Sequence, residues 1–259
     1  RVRPPVINSS EMLKRKMQML EALADIEIAA HIVEETGKDN SEFVNQLDAN
    51  YAKLHTDIVP VETDSEEYKL IAKYVKNSHP RQTPGIVNVF KIRRDSDEKR
   101  FEEKKGLGNR MLLWHGSRLT NYVGILSQGL RIAPPEAPCS GYRFGKGIYF
   151  ADLAQLSSRY CRAWGGQPFI MLLCDVALGK TADLKRDQFM TTALPGTDST
   201  KALGTIEPDP AENVVRPDGV VVPCGKILEN GNKNVSCFEH QYIVYDVAQC
   251  RLQYLIQFV

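Results

Sequence analysis

From Pro84 onward the chain is cut into short apolar runs separated by clusters of Gly, Pro, Asp and Asn. The runs lie at 86–92, 111–114, 148–150, 169–176, 220–222, 242–245 and 252–259. Their length and their bounding turn residues predict strands. Only two helical stretches intervene, at about 119–128 and 152–163. Helices therefore do not alternate regularly with strands. A doubly wound parallel sheet needs that alternation, because each parallel crossover is usually a helix. The pattern predicts an α+β fold with a mostly antiparallel sheet.

The first third reads differently. Pro4 and Pro5 mark an extended lead-in. Ser9 or Ser10 then caps a helix with Glu11 in its first turn. Leu13, Met17, Leu20 and Ala24 recur at helical spacing and give it an apolar face. The helix is expected to run to about Glu35 and stop near Gly37. Gln18, Glu21 and Asp25 form a polar stripe on its other side. Residues 37–64 read as polar and loop-like, with 58–61 extended. A second helix is expected over 65–76, with Tyr68, Leu70, Ile71 and Tyr74 apolar.

Charge narrows the function classes. The 33 Lys and Arg balance 32 Asp and Glu in 259 residues, a formal charge of +1. That excludes a generically cationic nucleic-acid binder, whose affinity comes from neutralising phosphates. No apolar run approaches the roughly 20 residues that span a bilayer. The six cysteines (Cys139, Cys161, Cys174, Cys224, Cys237, Cys250) contain no C-x-x-C pair, so reduced thiols are expected and no metal site. The chain starts at Arg1 with no signal-like segment and reads as a piece of a longer protein.

The Gly cluster 141–147 is not a Walker A loop: three residues separate Gly141 from Gly145, and Gly147 replaces the Ser/Thr metal ligand. It is not a dinucleotide fingerprint either, because it precedes a strand. His115-Gly116-Ser117 closes an apolar strand, where a ring and a bare backbone can meet a ligand. Adjacent strand-end residues rarely pair as nucleophile and base, and no G-x-S-x-G elbow exists, so a serine hydrolase is not indicated. Tyr149, Tyr160 and Ser157 lie near one another in sequence and could sandwich and hydrogen-bond a flat aromatic amide.

Longer motifs carry a resemblance. They are Leu112-Leu113-Trp114-His115-Gly116-Ser117-Arg118, Gly124-Ile125-Leu126-Ser127, and the stretch from Gly129 to Pro138. Phe144-Gly145-Lys146-Gly147-Ile148-Tyr149-Phe150-Ala151-Asp152 and Tyr242-Ile243-Val244-Tyr245-Asp246 follow in order. Over about residues 9–259 the chain resembles the catalytic region of the poly(ADP-ribose) polymerases, of the DNA-damage-responsive subgroup. The resemblance implies the diphtheria-toxin-like ADP-ribosyltransferase fold, two mainly antiparallel sheets around an NAD cleft. It implies a regulatory helical remnant over residues 1–38 and a transferase domain over 39–259. NAD would be the donor substrate, with no metal, and proteins the acceptors. DNA contact would reside in upstream segments, no membrane would be involved, and the location would be nuclear.

Residue roles follow from the same resemblance. Gly116 and Ser157 would hold the nicotinamide carboxamide. Tyr160 and Tyr149 would flank the ring. His115 would hold the adenine-side ribose with Ser117 nearby, and Arg131 and Glu21 would lie by the adenosine. Residues 139–147, including Tyr142, would line the donor site. His115, Tyr149 and the residue at 241 would carry the catalysis.

Two positions depart from the family pattern. The Glu expected before Tyr-Ile-Val-Tyr is Gln241, and the Lys expected before the nicotinamide Ser is Leu156. Breaking the nicotinamide–ribose bond builds positive charge on the ribose, which a carboxylate stabilises. A unit charge about 4 Å away, at an effective dielectric of about 20, is worth roughly 4 kcal/mol. That corresponds to about three decades of rate. Gln keeps a hydrogen bond but neither the charge nor useful basicity. Glu239, two residues back, faces the same side but lies roughly 7 Å away along an extended strand. The residues leave several readings open: a transferase with weakened elongation, an NAD-binding pseudoenzyme, or a polymerase quieted by an engineered Gln241. An engineered change at 241 leaves Leu156 unexplained.

Overall fold

A computed structural model describes residues 6–38, 45–79, 83–132, 142–163 and 166–259. Helix α1 spans Ser10–Lys38. The Ser9 hydroxyl accepts from the Met12 N–H at 3.2 Å, so Ser9 caps it. It runs past the expected stop near Gly37. Met17 is buried, while Leu13 and Leu20 stay exposed, so the apolar face is only partly covered. Helix α2, Gln46–Ala52, occupies a stretch read from sequence as loop. Its cap is a local bond, the Asn45 side chain accepting from Leu47 N–H at 2.9 Å. It buries only Ala49, so no apolar period announced it.

Strand β1 (Asp57–Pro60) leads to α3 (Glu66–Asn77), capped by Ser65 and burying Ile71, Tyr74 and Val75. β2 is Ile86–Arg93, and α4 (Asp95–Lys104) turns only Asp97 and Phe101 inward. β3 is Arg110–Gly116, α5 Tyr122–Gln128, β4 Ile148–Phe150 and α6 Ala154–Cys161. Then come β5 (Phe169–Ala177), β6 (Thr181–Leu184), β7 (Ser199–Ala202) and β8 (Ile206–Pro208). The remaining strands are β9 (Val214–Val215), β10 (Val221–Val222), β11 (Ile227–Glu229), β12 (Gln241–Val244) and β13 (Cys250–Phe258).

Seven strands form one sheet in the order β1-β2-β13-β5-β3-β10-β9. Four form a second, β4-β12-β7-β6, and β8 pairs with β11 in a small third. Pairing is antiparallel except β3 with β10 and β6 with β7. The expected α+β architecture with two main, mostly antiparallel sheets is what forms; the third, two-stranded sheet is an addition.

β5 explains why the most apolar stretch of the sequence is continuous rather than alternating. Met171 and Leu173 enter the core beneath α3, with Trp114, Tyr74, Tyr254 and Phe258. Leu172 and Cys174 enter the opposite core, shared with Ile148, Phe150, Tyr242 and Val244 of the second sheet. A strand buried on both faces has no polar face to show. Each such side chain contributes about 1.5–3 kcal/mol of burial. The two main sheets also touch through backbone: Trp114 N–H donates to Ala151 O at 2.8 Å and Ala151 N–H to Trp114 O at 3.0 Å. That bridge brings the end of β3 beside the end of β4.

Candidate active site

Gly116, the last residue of β3, lies hard against α6. A Cβ built there would stand 1.9 Å from the Ser157 carbonyl oxygen, so only glycine permits this approach. The Ser157 hydroxyl donates to Trp114 O at 3.1 Å. The strand end and the helix therefore form one rigid corner. Next to it, His115 Nδ1 lies 2.9 Å from Tyr149 O. A carbonyl only accepts, so the proton sits on Nδ1 and Nε2 is left as an acceptor. Burial holds the His115 imidazole below its usual pKa and keeps it neutral at pH 7.

Tyr149 forms the next wall. Its hydroxyl donates to Gly145 O at 2.7 Å and accepts from Phe144 N–H at 3.1 Å. Tyr245 donates to Phe144 O at 2.8 Å, so two tyrosines pin the segment before β4. Gly145 adopts φ +89°, and a Cβ there would overlap Met190 O at 1.6 Å. Burial raises the Tyr149 phenol further from ionisation. With its hydroxyl bonded both ways, Tyr149 presents its ring. The Tyr142 ring lies 6.2 Å away.

Gln241 opens β12. Ile243 pairs with Tyr149 across the β12–β4 ladder, so Gln241, two residues earlier, faces the same side as Tyr149. Gln241 is buried, and its Nε2 donates to Cys237 Sγ at 3.4 Å. Leu156 is also buried, on the turn of α6 that carries Ser157. Tyr160, one turn further, exposes its ring. Glu239 is occupied elsewhere: it is 3 % exposed and its Oε1 lies 2.5 Å from Arg159 Nη2. Arg159 sits between Ser157 and Tyr160 on α6, so this pair fixes the approach to β12 against the helix. Sequence reasoning missed Arg159 and Cys237. Arg159 and Glu239 are 80 residues apart, so only the fold joins them, and Cys237, four residues before Gln241, stands in no recognisable motif.

The other expected residues lie on the far flank. Ser117 Oγ accepts from Asn121 Nδ2 at 2.9 Å, at the 119–121 turn that enters α5. Arg131 follows α5, exposed, with Nη1 donating to Gln128 Oε1 at 3.0 Å. α1 packs on α5 and on that turn, which brings the helix of Glu21 to this flank; the Glu21 side chain lies outside the described residues. Of the Gly-rich segment, residues 139–141 also lie outside them. Five cysteines are free thiols, and Cys139 falls outside the described residues. Among the described residues no group of three or more His, Cys, Asp or Glu is placed to hold a metal. Nor is any helix among them long and apolar enough to cross a membrane.

Comparison with known proteins matches this sequence to a family. The profile of the poly(ADP-ribose) polymerase catalytic domain matches residues 65–259, and that of the poly(ADP-ribose) polymerase regulatory domain matches residues 1–51. The chain is 46 % identical over 257 residues to poly [ADP-ribose] polymerase 2-B of Oryza sativa subsp. japonica, covering 97 % of this chain and 42 % of that protein. It is 45 % identical over 260 residues to poly [ADP-ribose] polymerase 1 of Gallus gallus, covering 98 % of this chain and 25 % of the relative. For poly [ADP-ribose] polymerase 1 of Arabidopsis thaliana the identity is 46 % over 262 residues, with 99 % and 26 % covered. The chain thus spans well under half the length of these relatives. With its catalytic profile matched across both main sheets and its relatives aligned over nearly every residue, the chain belongs to the poly(ADP-ribose) polymerase family.

Proposed function

We propose that the cleft binds NAD and transfers its ADP-ribose to a protein acceptor, releasing nicotinamide. The observation that carries this reading is the glycine-only approach of Gly116 to Ser157, which leaves bare backbone at the mouth of a corner walled by Tyr149. In this reading Gly116 and Ser157 hold the carboxamide, and Tyr149 and Tyr160 flank the nicotinamide ring. Neutral His115 accepts from a ribose hydroxyl through Nε2, with Ser117, Arg131 and Glu21 on the adenosine side and Tyr142 beside the donor. Holding the amide and the ribose fixes the geometry of the bond that breaks. The C1′–nitrogen bond breaks with its electron pair leaving on nicotinamide. The acceptor oxygen bonds to C1′ and its proton passes to solvent.

Gln241 hydrogen-bonds a ribose hydroxyl in this scheme but takes no proton and supplies no charge. Transfer is therefore slow, and elongation into polymer slower still. The want of a carboxylate at Gln241, whose amide donates to the Cys237 thiol, favours a second reading: a module that holds NAD without turnover. The α1 helix belongs, in our reading, to a regulatory unit ending near residue 38, with the transferase following from 39. We further propose that the parent protein acts in the nucleus, in the DNA damage response, and that DNA is met by segments other than these. Incubation with labelled NAD, measuring nicotinamide release and protein-attached label, tests the function. Label on protein supports transfer. Binding of NAD by calorimetry without release identifies the module, and failure to bind NAD overturns both.

A further inference from the structure

On the other side of β12 lies a cavity of about 270 Å³. Tyr242 follows Gln241 and, by strand alternation, turns to the opposite face, where it lines this cavity. Two oxygen acceptors in the wall are buried without any partner: Oδ1 of Asp152, in a residue 2 % exposed, and Oδ1 of Asn213. The other Asp152 oxygen accepts from the Tyr242 hydroxyl at 3.1 Å. Buried acceptors without donors are rare in native structures, because the lost hydration is not replaced.

Charge in the cavity is equally one-sided. Asp183 and Glu207 add two carboxylates to that of Asp152, against a single cation, Lys201. Lys201 Nζ sits 5.6 Å over the Tyr242 ring. His240 adds no charge: its Nδ1 accepts from Gly204 N–H and its Nε2 donates to Glu207 at 2.9 Å, and burial holds it below its usual pKa. Burial pushes the Asp152 carboxyl up to about 7, against the pull of Lys201 and the Tyr242 hydroxyl. This is a carboxyl short of positive partners. Met111 and Leu178 supply an apolar portion of the wall.

We propose that this cavity is a second ligand site, for an organic cation of the alkylguanidinium or alkylammonium class. Its N–H groups donate to Asp152 Oδ1 and Asn213 Oδ1, and its short alkyl stem lies against Met111 and Leu178. A bare metal ion fits less well, since no cluster of three or more ligating side chains exists among the described residues. The cation reaches the cavity either as a free small molecule or as a side chain carried by a peptide. The site shares β12 with Gln241 but no side chain of the cleft, so it stands independently of the NAD reading.

Calorimetry of the full chain tests it with two probes, agmatine and glycyl-arginyl-glycinamide. We expect one-to-one binding of at least one probe. Binding of agmatine alone identifies a free cation, and tighter binding of the tripeptide a peptide-borne one. Asp152→Asn is expected to weaken binding about tenfold or more. Asn213→Leu is expected to weaken it several-fold, and because Asn213 is part-exposed that variant keeps the test intact if Asp152→Asn unfolds. No heat from either probe at millimolar concentration overturns the proposal. So does binding that survives both substitutions unchanged.

Discussion

At the β3 end of the cleft, polar groups are set by backbone: Gly116 against the Ser157 carbonyl, Ser157 on Trp114 O, His115 on Tyr149 O. At the β12 end the contact is between side chains: Gln241 donates to the Cys237 thiol. Glu239, two residues before Gln241, is bound to Arg159. The first end needs shape, which main-chain contacts supply and which few substitutions can alter without breaking the fold. The second rests on side chains, whose chemistry a single substitution changes. In the proposed reading recognition rests on the first end and catalysis on the second, so the two can separate.

The largest effect should come from restoring charge to the poor end. Gln241→Glu together with Leu156→Lys should raise nicotinamide release by up to about a thousandfold. Gln241→Glu alone should gain less, because burial pushes a carboxylate toward its neutral form. If neither variant gains activity, position 241 is not where the charge is needed. The next effect probes the rich end. Gly116→Ala must displace α6 from β3 and should cost about 1–3 kcal/mol in denaturant unfolding, along with NAD binding. An unchanged midpoint would mean that the corner yields easily.

A smaller effect is expected where the two ends are tied. Arg159→Ala leaves Glu239 buried without its partner and should cost about 1–2 kcal/mol, read from the same unfolding curves. The smallest concerns His115. Burial lowers its pKa in the folded state, so the unfolded chain takes up its proton first as pH falls. Its contribution is complete above about 6.5 and is lost below that value. His79 and His240 shift the same way, so the informative measurement is a difference. His115→Gln should lose stability less steeply than the parent between about pH 6.5 and 5, by under about 1.4 kcal/mol per unit. Equal slopes would show that His115 titrates as in the unfolded chain.

Much of the fold was legible because it is written in local pattern. The run 169–176 announced β5, and Ser65 announced α3, whose cap bond to Tyr68 N–H forms as the spacing requires. α2 and α4 were not legible, since Ala49 alone, or Asp97 with Phe101, leaves no period to detect. β6, β7, β8 and β11 are four residues or fewer and owe their existence to partners far along the chain. The site divides in the same way. His115-Gly116, Tyr149 and Ser157 stand in contiguous motifs that can be matched by eye. That His115 bonds the Tyr149 carbonyl, or that Glu239 is tied to Arg159, appears in no motif.

The sequence by itself determined the class of fold, the family and the uncharged residues at 156 and 241, because each is a matter of residue identity at a position. Tertiary structure alone decided which groups surround Gln241 and Glu239. It set Gln241 against the Cys237 thiol and tied Glu239 to Arg159. It also closed a second cavity behind β12 around an Asp152 oxygen without a partner. The physical reason is that a hydrogen bond or a buried charge is a property of distance. Distances between residues 80 or 90 apart in sequence exist only once the sheets have packed.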